Sequence, residues 1–261
     1  MAEQRTLEGY YLTEALWEET RYRQSPLQCL RARTVAALLD PATPSVLDVG
    51  CGSGFVTDYL KGNRLVVGCD PSPVALKHAS VARVQAGGEA LPFGDRAFDS
   101  VVCLEVLEHL PRDAFRRTVE ELRRVTGRVL IVGVPFRQDL RVGMTRCVAC
   151  RCRFHLDLHR RSFPEPRSID KLFPGFGRQG TILLGRHTEK RFRTYQWFRY
   201  LLMGPEGRSS LAVCPKCDTP QPSERPEGDG RKLRRRFLRY IDWRIPTRNV
   251  PRWMIVLLQR R

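Results

Sequence analysis

The sequence is short of several things, and each shortage narrows the reading. No stretch approaches the ~18 apolar residues needed to span a bilayer, and no apolar run follows a basic start as an export signal would. On those grounds the chain is expected to be intracellular and cytoplasmic, with contact to the inner face of a membrane as the variant. Without an export signal, nine cysteines are expected to be free thiols and metal ligands rather than a disulfide framework. No internal repeat is evident, and no recognisable RNA-binding module accompanies the charge. Lysine is scarce: 39 of the 45 basic residues are Arg, a bias that a GC-rich genome produces.

What is present argues for a folded chain. A hydrophobic fraction of 42% excludes general disorder, and 261 residues suffice for one large α/β domain or for one domain with a substantial insertion. The net charge of +17 is unevenly placed. Residues 1–140 hold 17 Lys/Arg against 18 Asp/Glu, and residues 141–261 hold 28 against 10. A one-sided positive field favours an anionic partner, whether a phosphorylated substrate, a nucleic acid or a membrane surface.

Residues 13–39 contain two helix-like stretches separated by Ser25-Pro26, and Asp40-Pro41 closes the second. Then comes SVLDVGCGSGFVTDYL, an apolar run entering a glycine-rich turn and leaving as a helix. Gly50, Gly52 and Gly54 allow a sharp turn and close approach of a ligand to the backbone. A nicotinamide fingerprint would need G-x-G-x-x-G, and Phe55 stands where its third glycine would be.

The spacing found, Asp48 followed by G-x-G-x-G, resembles the class I S-adenosylmethionine-dependent methyltransferases, especially the type 11 group. Two further stretches carry the resemblance. RLVVGCD ends in Asp70 before PSPVALKHA, matching the family's second strand and the helix after it. GGEALPFGDRAFDSVVCLEVLEHL matches its adenine loop and fourth strand, and GRVLIVGVPF reads as the fifth strand, apolar as a buried parallel strand should be. Residues 45–136 follow the family in order and spacing.

The resemblance implies an α/β fold: a Rossmann-like, seven-stranded class I methyltransferase sheet with helices on both faces. It implies S-adenosyl-L-methionine as cofactor, with Asp48, Gly50, Cys51, Gly52 and Gly54 at its methionine end. Asp70, followed by Pro71, would take the ribose hydroxyls; the alternative is that Asp70 only caps the next helix. Gly88, Glu89 and Ala90 would meet the adenine, and Leu104 and Glu105 would lie beside the sulfonium. One departure is Gly87, where the family usually has Asp, so backbone groups or Glu89 would take over the adenine amino group. No dedicated base is required; His109, His155 and His159 are the weak catalytic candidates, each also readable as a packing residue.

In this frame residues 1–44 form an N-terminal helical cap, in which Tyr10, Tyr11 and Trp17 either cover the site or pack in the core. Residues 45–140 form the cofactor-binding core. Residues 141–261 complete the same sheet with SFPEPRSIDKLFPGF as a helix and RQGTILLGR and PRWMIVLLQRR as the last strands. Two insertions, at about 141–160 and 190–248, remain. Both leave from the carboxyl ends of parallel strands, so they should emerge on one side. Each carries a C-x-x-C, and two such turns can complete a tetrahedron around zinc. The expected ligands are Cys147, Cys150, Cys214 and Cys217, a structural zinc stapling the insertions into a lid. Unpaired thiols and a redox pair are the competing readings. The glycine usual after such a turn is missing at Arg151 and Asp218, and Cys152 or His155 could replace one ligand.

RFRTYQWFRYLLMG and RKLRRRFLRYIDW read as basic helices, the second with one apolar face near Leu233, Phe237, Tyr240 and Ile241. TPQPSERPEGDG between them reads as a loop. Such helices either dock on the protein, contact RNA phosphates or lie on a membrane. The function expected is methyl transfer to an O, N or C nucleophile of an anionic small-molecule, lipid-linked or phosphorylated acceptor. The alternatives are an RNA methyltransferase and a non-catalytic subunit retaining the fold.

Overall fold

The computed structural model describes residue 17 and residues 23–203, 212–222 and 229–261. Residues Tyr10 and Tyr11, most of the first helix-like stretch and residues 223–228 of the expected loop lie outside the described residues. The chain divides into two compact units.

The larger unit is built on residues 11–138, 161–185 and 252–261. Helix α1 (Pro26–Ala37) starts with Ser25 accepting a hydrogen bond from the Gln28 N–H and with Pro26 in the first turn, where a missing N–H costs nothing. Strand β1 (Ser45–Val49) leads through the glycine turn into α2 (Phe55–Leu60). Strand β2 (Leu65–Asp70), a short helix α3 (Pro73–Leu76) and strand β3 (Ala82–Gln85) follow. Strand β4 (Phe98–Leu104), helix α4 (Arg112–Val125) and strand β5 (Thr126–Pro135) complete the first half. Helix α5 (Pro166–Asp170), strand β8 (Phe176–Leu184) and strand β11 (Trp253–Arg260) finish the sheet.

The seven strands lie in the order β3-β2-β1-β4-β5-β11-β8. β3 to β5 pair in parallel, while β11 runs antiparallel to both β5 and β8, so β5 and β8 point the same way. Alternation along the strands sends side chains to two apolar clusters. Leu47, Val101, Leu130 and Val132 join Val119 and Leu122 of α4 on one face. Val46, Val102, Ile131 and Ile255 join Val35 of α1 and Phe55 and Leu60 of α2 on the other. The result is a three-layer α/β/α unit in which the strand order reverses between β1 and β4, the place where open sheets of this kind leave a crevice at the strands' carboxyl ends.

The smaller unit contains residues 139–160 and 186–251. Strands β6 (Met144–Arg146) and β7 (Arg153–His155) form an antiparallel hairpin. Strands β9 (His187–Lys190) and β10 (Thr247–Val250) form a second antiparallel pair, with Arg248 directly opposite Glu189 and donating to its Oε1 at 2.6 and 2.9 Å. Helices α6 (Arg193–Met203) and α7 (Asp229–Asp242) pack against each other. Their ends are tied by Asp242, which accepts from Tyr195 Oη at 2.7 Å and Arg199 Nη1 at 3.0 Å.

Candidate functional site

At the carboxyl end of β1 the chain turns through three glycines in the left-handed region, with φ of 75° at Gly50, 54° at Gly52 and 80° at Gly54. At Gly50 a glycine is required on two counts: the positive φ, and Val106 Cγ2, which would stand 2.2 Å from an added Cβ. Gly52 is covered by Trp17, whose ring would meet an added Cβ at 2.6 Å. Gly50 and Cys51 donate from their backbone N–H groups to Cys69 O at 2.7 and 3.1 Å. The Cys51 side chain turns away, its sulfur close against Gly68, and burial pushes its thiol far up.

Asp70 closes this loop onto β2. Its Oδ2 accepts from Gly52 N at 2.9 Å and its Oδ1 from Ser72 N at 2.9 Å. The cap of α3 is Ser72, whose Oγ accepts from Ala75 N, so Asp70 is not spent as a helix cap. Each oxygen of a carboxylate can accept more than one hydrogen bond, so both keep capacity for a ligand's hydroxyls. Burial raises the Asp70 pKa, and the Ser72 and Gly52 N–H groups oppose that rise. Pro71 is exposed at the rim. Asp48 is buried beneath the loop, accepts from Thr57 Oγ1 at 2.6 Å, and is pushed up to about 6 by burial and by the charge of Asp70.

Gly88 is buried, Glu89 half-buried and Ala90 exposed. A Cβ on Gly88 would stand 2.9 Å from Thr118 Cγ2. The Glu89 carboxylate lies within 2.5 to 2.8 Å of where a Cβ on Gly87 would be, filling the space that a side chain at Gly87 would take. The loop beyond is held by two residues that sequence reasoning missed. Glu121 accepts from Leu91 N at 2.8 Å, and Arg124 donates to Phe93 O at 2.6 Å and Leu91 O at 3.1 Å while pairing with Glu121 and Asp95. On sequence alone these are ordinary charges on a helix.

At the carboxyl end of β4, Leu104 lies over Gly133, where any side chain would collide with it. Glu105 takes a positive φ of 56° and donates its N–H to Gly133 O at 2.8 Å. Its Oε2 accepts from Trp253 Nε1 at 2.9 Å and lies 3.8 Å from Arg31 Nη1; the Arg31 guanidinium rests 4.7 Å over the Trp253 ring. Glu108, also missed from sequence, is fully buried, and neither carboxylate oxygen has a hydrogen-bond partner among the described residues. Burial, and then the charge of Glu105, hold its carboxyl well above the usual range.

The candidate histidines sit differently. His109 is half-buried in the turn after β4, its backbone N–H donating to Val106 O at 3.1 Å. In the smaller unit, His155 Nε2 lies 3.0 Å from Val142 O, an acceptor, while Nδ1 accepts from Asp157 N at 3.1 Å. Those partners define the neutral Nε2–H tautomer and make this ring a clasp of the β6–β7 hairpin. His159 stacks on it with centroids 5.0 Å apart and is held down at about 4 by burial and by His155.

The same unit brings the cysteines together. The Sγ atoms of Cys147, Cys150, Cys214 and Cys217 all lie within 4.8 Å of one another, with Cys147–Cys217 at 3.5 Å and Cys150–Cys214 at 3.6 Å. Each pair sits on a hairpin tip, one between β6 and β7 and one inside the Val213–Pro220 bridge. The tips repeat one hydrogen bond five residues apart, Cys147 N to Cys152 O at 2.9 Å and Cys214 N to Thr219 O at 3.0 Å. Arg151 and Asp218, where glycine is missing, both adopt the left-handed conformation, with φ of 62° and 54°. Cys152 Sγ is a fifth sulfur, 3.3 Å from Cys214 Sγ. Gln221, unread in the sequence, joins the tips by accepting from Val148 N at 3.2 Å and pointing its amide at Cys147 Sγ, 3.6 Å away.

A family described as methyltransferase domain matches residues 47–129, the stretch from β1 to β5. A solved SAM-dependent methyltransferase from Thermotoga maritima superposes with a TM-score of 0.54 at 14% identity, covering 97% of this chain and all of that one. Magnesium protoporphyrin IX methyltransferase from Synechocystis PCC 6803 with bound SAH gives 0.53 at 19% identity, covering 70% and 93%. The fold is that of a class I methyltransferase. In sequence, a ubiquinone biosynthesis O-methyltransferase from Xanthomonas axonopodis pv. citri is 35% identical over 109 residues, which is 36% of this chain and 46% of that relative. The chain thus spans less than half the length of that curated relative.

Proposed function

We propose that this protein transfers the methyl group of S-adenosylmethionine to an O, N or C nucleophile on a small acceptor that is anionic or lipid-linked. The observation that carries the reading is the closure of the glycine loop by Asp70: one carboxylate, bonded to Gly52 N and Ser72 N, stands ready for a pair of vicinal hydroxyls at the end of β2. When bound, the cofactor supplies an electrophilic methyl group on a sulfonium. The glycine turn would take the cofactor's methionine end in the space over Gly52 that the Trp17 ring fills, with Asp48 beneath as a buried negative charge for an ammonium. The 88–90 loop, fixed from behind by Glu121 and Arg124, would hold the adenine, with Glu89 in the space above Gly87. The chain's task at the reacting centre is to orient the acceptor and exclude water, and alignment alone supplies much of such a rate enhancement. The likeness to a ubiquinone O-methyltransferase and the excess of Arg in residues 141–261 support an acceptor with a lipid tail or an anionic group.

The four-cysteine centre fits a structural zinc. Zinc–sulfur bonds of about 2.3 Å in a tetrahedron separate the sulfurs by about 3.8 Å, and the observed cluster needs only small adjustments to reach that. Four thiolates leave no position for water, so the ion would hold the two hairpin tips together and take no part in methyl transfer.

Binding of S-adenosylhomocysteine to the intact chain and to Asp70→Ala tests the reading. Saturable binding that weakens by roughly 100-fold in the variant is expected from the loss of two charged hydrogen bonds. Equal affinity in both proteins would remove Asp70 from the site.

A further inference from the structure

We propose that α6 and α7 form a docking surface for an anionic lipid bilayer. This goes beyond methyl transfer and stands or falls independently of the glycine loop, because every residue it uses lies in the smaller unit.

On α7, the 100° turn per residue separates three faces. Leu238, which is buried, and Ile241, half-buried, lie on the packed side. Leu233, Phe237 and Tyr240 fall within about 60° of one another on a second side, and all three face water, with Leu233 68% exposed. Lys232, Arg235, Arg236 and Arg239 share a sector about 100° wide next to that stripe. On α6, Tyr195 and Met203 are buried, while Trp197, Phe198 and Leu201 form an adjacent exposed stripe, with Leu201 60% exposed. That helix carries no acidic residue, and the Asp242 of α7 is taken up by Tyr195 and Arg199. Past the end of α7, Trp243 stands 72% exposed, and Arg244 lies 4.2 Å over its ring and 4.0 Å over that of Tyr240.

The apolar face expected at Leu233, Phe237, Tyr240 and Ile241 is therefore split: Ile241 is half-buried on the packed side with Leu238, while the other three face water. Two neighbouring helices each present large apolar side chains to water, and α7 adds a basic band beside them. That is the composition of helices that lie in a membrane interface, where apolar groups enter the acyl boundary and cations meet anionic headgroups. Trp and Tyr held by Arg suit the headgroup level. The aliphatic members decide between lipid and nucleic acid. A leucine neither stacks on a base nor pairs with a phosphate, so Leu201 and Leu233 contribute to binding only where apolar surface leaves water.

The test is co-sedimentation and tryptophan fluorescence of the full chain with vesicles of phosphatidylcholine alone or containing phosphatidylglycerol, with an oligouridylate as the RNA probe. The expected result is binding to phosphatidylglycerol vesicles, weakened by salt, with a blue shift of Trp emission. Leu201→Ser with Leu233→Ser should weaken it roughly tenfold, and Arg236→Glu with Arg239→Glu at least as much. These side chains are exposed, so the variants should keep their circular dichroism and their zinc content. Failure to bind either vesicle, equal binding to both, or vesicle binding that both variants retain would overturn the proposal. Tight oligouridylate binding without vesicle partition would reassign the surface to nucleic acid.

Discussion

The sheet around the glycine loop buries apolar side chains on both faces, from Leu47 and Leu130 on one to Val46 and Ile131 on the other. Around the cysteine centre, the buried cluster is Phe154, Leu158 and Ala212 together with two of the thiols themselves, Cys147 and Cys214. The first region has enough core to hold a non-glycine residue, Glu105, in the left-handed region beside Gly50, Gly52 and Gly54, which adopt it freely. The second asks non-glycine residues, Arg151 and Asp218, to do the same with far less packing behind them. A small unit with so little core usually needs a staple, and on the proposed reading a zinc ion at the four converging thiols would be that staple.

Breaking the staple should separate the two regions most widely. Cys214→Ser, or chelation of the wild type, should remove nearly all bound zinc and deprotect the amides of residues 144–155 in hydrogen exchange. The β1–β5 amides should keep their protection, because structural zinc is worth on the order of 10 kcal/mol to the unit that binds it and nothing to one that does not. Retention of one zinc per chain in Cys214→Ser would replace the four-cysteine set with one that uses Cys152.

The next effects sharpen the account of the core. Asp70→Ala should cost about 3 kcal/mol in S-adenosylhomocysteine affinity. Asp48→Asn should split stability from binding. The folded pKa of about 6 lies above the ordinary 3.8, so the stability contributed by the protonated form is complete below pH 3.8 and lost as pH rises through about 6. At pH 7 the ionised group therefore costs up to about 3 kcal/mol, and the variant should unfold at higher temperature while binding the cofactor product more weakly. Glu108→Gln should show its smallest effect in acid, below the unfolded value near 4.5, where the carboxyl is protonated in both the folded and the unfolded wild type. Its raised pKa makes the wild type lose stability as pH climbs above the unfolded value near 4.5 and through the folded one. Melting temperatures followed upward from pH 4.5 should fall less steeply in the variant.

What could be read from sequence follows the same division. Strands β1, β2, β4 and β5 announce themselves as apolar runs, and β8 and β11 lie where the last two strands were expected. The edge strand β3 did not, because Ala82–Gln85 is short and mostly exposed and carries no alternation to read. The glycine loop and Asp70 were legible because few residue types can do their work. Glu121, Arg124 and Gln221 were not, since their importance lies in which backbone atoms they reach across the fold. Glu108 was hidden inside VLEHL, where a glutamate near a helix start is unremarkable until its burial is seen. On α7, periodicity defined an apolar face but could not say that Leu238, rather than Leu233, packs inward. Arg151 and Asp218 show the converse: a missing glycine left the local conformation unchanged.

Calorimetric titration of the wild type and of Cys214→Ser with S-adenosylhomocysteine, with zinc measured in the same samples, tests most directly the claim that cofactor site and staple are separate. The expected result is one zinc per chain in the wild type, little in the variant, and the same affinity for S-adenosylhomocysteine in both. Absence of binding by folded, zinc-loaded wild type would contradict the methyltransferase reading itself, and binding that disappears together with the zinc would contradict the separation.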